Sequence, residues 1–119
     1  MTTAELANQL LDYCKKGQWT QAHENLYADH AVSIEPEASN FPPLTEGKEA
    51  IIQKGHQFDA MVDTMHNVNV EGPVIAGNYF SCKMEIDVTF KGQERMVNPE
   101  ICLYKVEEGK IVSEQFFYQ

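Results

Sequence analysis

The apolar residues of this chain change period at His66. Before it they recur every three to four positions, apart from a short alternating stretch at Ala31 to Glu35, and after it every second position, so helices should dominate the first half and a pleated sheet the second. That order binds the chain to an α+β plan in which helices pack on one face of a largely antiparallel sheet.

The first helical stretch runs from Thr3 to Lys16, with Leu6, Leu10, Leu11 and Cys14 on one face, Thr2 or Thr3 as N-cap and Glu5 in the first turn. Gly17 stops it. Trp19, Ala22, Leu26 and Tyr27 then predict a short second helix to about Ala28, closing an αα-hairpin. Ala31 to Glu35 reads as a short strand ended by Pro36, which lacks a backbone donor. Glu37 to Thr45 reads as a loop, and Gly47 leads into a third helix striped by Ile51, Ile52, Gly55, Phe58 and Met61/Val62.

Beyond His66, a break at Gly72-Pro73 and turns at Gly77-Asn78, Gly92-Gln93 and Glu108-Gly109 predict an antiparallel meander. From Phe80 to Phe90, apolar and polar residues alternate, giving one wet face and one core face. The last two strands are partly apolar on both faces. Val97, Ile101 and Leu103 oppose Asn98, Glu100, Cys102 and Tyr104, while Ile111 and Phe117 oppose Val112, Glu114, Phe116 and Tyr118. One face should cover a pocket and the other should meet a second subunit as a homodimer.

With 119 residues, 43% hydrophobic and 23% charged, residues 1–119 are expected to form one domain with a sizeable core. A net charge of −9 with a single basic doublet, Lys15-Lys16, argues against nucleic acid and anionic membrane surfaces as partners. No apolar run nears the ~20 residues that span a bilayer, and no leader pattern follows Met1, so a cytoplasmic location is expected. Cys14, Cys82 and Cys102 read as buried free thiols. His23, His30, His56 and His66 do not fall at metal-ligand spacing, and neither a phosphate-cradling loop nor a nucleophile motif is present. Neither metal nor cofactor is expected. Trp19 reads as a packing anchor, and Met61 and Met65 as soft filler.

Three stretches together resemble the SnoaL-like family of the nuclear-transport-factor-two-like superfamily, which also holds the ketosteroid isomerases and polyketide cyclases. They are Leu26 to Pro36, the helix start Glu46-Gly47-Lys48-Glu49-Ala50-Ile51, and Glu100 to Tyr118. The resemblance implies a cone-shaped α+β barrel, with three N-terminal helices packed on a curved, mostly antiparallel sheet of four to five strands. It also implies a pocket opening between helices and sheet, and dimerisation through the outer sheet face.

In the ketosteroid isomerases the general base is an aspartate before the proline that ends the first strand, and Glu35 before Pro36 matches it. A carboxylate pointed into an apolar cavity there would have its pKa raised by desolvation, toward the range useful for moving protons near neutral pH. The isomerases' oxyanion donors have no counterpart, since their places fall at Leu10 and Cys102. Period-two alternation instead points Asn98, Glu100, Cys102, Tyr104, Glu114, Phe116 and Tyr118 to the pocket, with Phe58 on the facing helix. Glu35 and Glu100 are the catalytic candidates, and the others are candidate binding residues. Carboxyls held this close cannot all ionise cheaply, so at least one should keep its proton. Glu100 and Glu114 can equally serve as structural hydrogen-bonding groups. The expected ligand is a small apolar or amphipathic organic molecule. The expected activity is that of a cofactor-independent isomerase, cyclase or lyase, and a non-catalytic ligand-binding or dimeric interaction module is the alternative.

Overall fold

The computed structural model describes residues 1–119. Helix α1 (Thr3–Lys15) opens on a capping box: the Thr2 hydroxyl accepts from the Glu5 amide at 3.1 Å, and the Glu5 carboxylate accepts from the Thr2 amide at 3.0 Å. It buries Leu6, Ala7, Leu10, Leu11 and Cys14. Gly17, at φ +66°, then turns the chain in the left-handed region, where a side chain would be strained. Helix α2 (Trp19–Leu26) buries Ala22 and Leu26 and passes straight into β1 (Tyr27–Ile34). The strand begins four residues earlier than helical periodicity suggested. Tyr27 already pairs with Ile111 on the last strand, and this long-range pairing overrides the local pattern.

The segment expected as loop contains a further strand, β2 (Leu44–Glu46), antiparallel to β1. Helix α3 (Lys48–Met61) follows Gly47 and buries Ile51 and Ile52. Strand β3 (Val62–Ala76) starts at once, and β4 (Tyr79–Phe90), β5 (Met96–Glu107) and β6 (Lys110–Phe117) complete the meander. No helix is long and apolar enough to cross a membrane.

The sheet order is β2-β1-β6-β5-β4-β3. Two features depart from expectation. The sheet has six strands and is mixed, because β1 lies parallel to β6. It is also not closed into a barrel: β2 and β3 are its two edges and do not pair with each other. Closure would require its terminal strands to share a hydrogen-bonded ladder. Here β2 is only three residues long, and helices cover the inner face instead. One core joins the two layers: Leu6, Leu10 and Leu26 from the helices meet Phe80, Val88, Cys102 and Ile111 from the sheet.

Candidate functional site

Helices and sheet do not fill the space between them. A cavity of about 410 Å³ remains, with Trp19, Phe58 and Phe90 among its apolar walls and a band of polar groups across the sheet side. Its size suits a small organic molecule.

Strand register explains the band. On the inner face of β5, the side chains of Asn98, Glu100, Cys102 and Tyr104 follow at intervals of two, and Tyr104 stands opposite Glu114. Parallel pairing of β1 sets Ser33 beside Glu114. A register shift between Lys105 and Val106 interrupts the alternation of β6. Ile111 and Glu114 are consequently both buried, although strict period two put them on opposite faces.

Glu114 is 3% exposed and accepts hydrogen bonds from the Tyr27 hydroxyl and, at 2.6 Å, from Ser33 Oγ, which is itself fully buried. Both carboxylate oxygens are therefore satisfied inside the fold. Lys54, on α3, donates to Ser33 Oγ and to Glu35 Oε1 at 3.1 Å. Tyr118 donates to Glu35 Oε2 at 2.9 Å. The chain of contacts thus runs Tyr27, Glu114, Ser33, Lys54, Glu35, Tyr118. Glu35 also meets an unexpected cation: its side chain, 7% exposed, forms an ion pair with that of Lys54, 11% exposed. Burial pushes the Tyr118 hydroxyl up to about 12, with the Glu35 carboxylate adding to the effect, so it stays a donor.

Glu100 stands apart from this chain. Its partner is the Cys102 thiol, at 3.5 Å from Oε1. Its carboxyl is pushed up to about 7: burial is the largest cause, the thiol hydrogen bond opposes it, and the charges of Glu35 and Glu114 add to it. This raised carboxyl faces the hollow.

Glu35, Glu100, Glu114, Tyr118, Tyr104, Asn98, Phe116 and Phe58 all line the cavity. Cys102 does not. It is fully buried in the core, opposite Cys82 on β4 and Phe116 on β6. Leu10 reaches the cavity as an apolar contact. Lys54, Ser33 and Tyr27 were missed by sequence reasoning. A signal existed for Lys54: it falls three residues after Ile51 and four before Phe58, and so lies within the apolar stripe of α3. Nothing in the sequence distinguishes Ser33 from an ordinary strand serine. No group of three or more His, Cys, Asp or Glu side chains is arranged to hold a metal ion.

Residues 1–118 match the family model described as SnoaL-like domain. The chain belongs to the SnoaL-like family. A Mesorhizobium loti protein provisionally named a SnoaL-like polyketide cyclase, and also a carbohydrate phosphatase, is 38% identical. Its structure superposes with a TM-score of 0.87, over 99% of this chain and 100% of that one. A Jannaschia protein, also provisionally named a SnoaL-like polyketide cyclase, is 16% identical, with a TM-score of 0.81 over 98% and 85% of the two chains. A Catenulispora acidiphila protein of ketosteroid isomerase-like fold, solved with trimethylamine, is 18% identical, with a TM-score of 0.79 over 99% and 88%. At these lower identities the likeness is one of fold. No curated protein matches the chain. The chain thus shares a SnoaL-like domain with the Mesorhizobium protein, and a buried, hydrogen-bonded glutamate stands at its cavity wall.

Proposed function

We propose that this SnoaL-like protein binds a small, largely apolar organic molecule in its cavity and moves a proton on it without a cofactor, as an isomerase, cyclase or lyase. The observation that carries the reading is Glu100, a carboxyl at about 7 that faces the hollow with only a thiol as partner. A group poised near ambient pH gives and takes a proton with the least penalty in either direction. Glu35 was the first candidate for this role, and its two oxygens are already engaged by Lys54 and Tyr118. In this reading Glu35 holds Lys54 and Tyr118 in place; the third N–H of the ammonium, and the phenol once its proton turns from Glu35 to the substrate, stabilise negative charge that develops on a substrate oxygen. They would replace the donors missing at Leu10 and Cys102.

The test uses two measurements. A carbon-13 NMR titration of the glutamate carboxyls should find Glu100 near 7, and a value near its ordinary 4.5 removes the assignment. A panel of small carbonyl compounds with an acidic C–H should take up solvent deuterium in the presence of the protein and not of Glu100→Gln. Ligand binding without any uptake would instead support the non-catalytic reading.

The outer sheet face favours a second property, a homodimer. Val97, Ile101 and Phe117 are each about half exposed there, and Ile101 and Phe117 pair directly across β5 and β6. An apolar sheet surface of this kind gains by being covered.

A further inference from the structure

Charge around the cavity is lopsided. Carboxyl groups reach it from Glu35, Glu100 and Glu114, against the single ammonium of Lys54. His23 also borders it, but burial pushes its imidazole below its ordinary value, so it supplies little positive charge at neutral pH. Lys54 is already engaged by Glu35 and Ser33. A ligand carrying a full negative charge would compete with Glu35 for Lys54 and would meet carboxyl groups on the sheet side.

The walls argue in the same direction. Trp19, Phe58, Phe90 and Phe116 border the space, and aromatic faces carry the negative end of a quadrupole. The protein already holds one ammonium group in such surroundings: Lys54 Nζ lies 5.6 Å from the centroid of the Phe116 ring while paired with Glu35. Glu100, one strand away, lacks any such cation.

We propose that the cavity takes a small organic cation, an amine or quaternary ammonium compound, whose charged group rests against the Glu100 carboxylate beside the aromatic walls. This names the ligand class for the site described above and rests on that reading for the site's location alone. The cation prefers the ionised carboxylate, so binding drives the proton off Glu100 and tightens as pH rises through about 7. The charged and titratable groups that act on Glu100 are Glu35 just after β1, Glu114 on β6 and Tyr118 beyond it, while Lys54 on α3 and His23 on α2 line the same cavity. Cys102 lies beside it on β5, Cys82 on β4 and Cys14 on α1.

Calorimetric titration of the full chain with choline, and with its uncharged carbon isostere 3,3-dimethylbutan-1-ol, separates charge from shape. Choline should bind at least about tenfold more tightly at pH 8, and its affinity should rise about tenfold from pH 6 to pH 8 as Glu100 ionises. Glu100→Gln should bring choline down to the level of the isostere and flatten its pH profile. Phe116→Leu, which leaves the carboxyl in place, should lower the preference for choline while keeping the pH dependence. Equal binding of the two compounds, a preference for the alcohol, or binding of neither overturns the proposal. The NMR titration and deuterium uptake, on which proton transfer stands, are read independently, so the two ideas fail separately.

Discussion

Glu100 and Glu114 share one cavity wall and differ in their partners. Glu114 has two hydroxyl donors and is enclosed, whereas Glu100 has a thiol and an opening. The difference has a consequence for stability. Glu100 holds its proton more tightly in the folded chain, at about 7, than at its ordinary 4.5, so the native state binds more protons than the unfolded state between those values. Its contribution is therefore fully present below about pH 4.5 and is lost as pH rises through 7, a change on the order of 3 kcal/mol. Glu100→Gln, which keeps the shape and removes the charge, should unfold at higher denaturant concentration than the parent at pH 8 and at nearly the same concentration at pH 5. Urea midpoints at the two pH values measure this, and parallel shifts at both would locate the effect elsewhere. Sequence alternation placed Glu100 on the cavity wall, but its contrast with Glu114 depends on Ser33 and Tyr27, which come from a strand far away in sequence.

Among the elements, α3 combines packing and chemistry most closely. Its buried Ile51 and Ile52 fix the helix on the core, and Lys54 then projects to the inner end of β1. Removing one member of a buried ion pair leaves the other charge uncompensated, at a cost of about 3 to 5 kcal/mol. Lys54→Ala should therefore be among the more damaging substitutions in the helix by urea denaturation. Adding Glu35→Gln to it should recover part of the loss, and equal stability of single and double variants would show that the pair is not coupled. The elements with strong periodicity, α1, α3 and β4, were legible to within a few residues. β2 was not, because three residues after Pro42-Pro43 are too few to show a period and form a strand only by pairing with β1. The end of α2 was misplaced for a related reason, since Tyr27 continues the helical spacing but is claimed by β6.

For the molecule as a whole, the division into a helical first half and a meander of strands was readable from the change of period at His66, and β1 from its own short alternation, while β2 and closure were not. Whether a sheet meets itself depends on the length and neighbours of its terminal strands, and β2 was invisible in the sequence. The outer face carries its own expectation. Val97, Ile101 and Phe117 should be shielded by a second copy, so light scattering at micromolar concentration should give twice the mass of the 13.5 kDa chain. Ile101→Lys should return the monomer with its fold intact, and a monomeric parent would reject the dimer.

A sheet with two ends also has two rims of amide and carbonyl groups open to recruitment by a foreign strand. The β2 rim is too short to serve as a template. The β3 rim is fifteen residues long, yet it is interrupted: its ladder to β4 slips in three places, and Pro73 has no amide hydrogen to offer. Irregularity along β3 thus does for this chain what closure does for a barrel, keeping neighbouring molecules from zipping onto it.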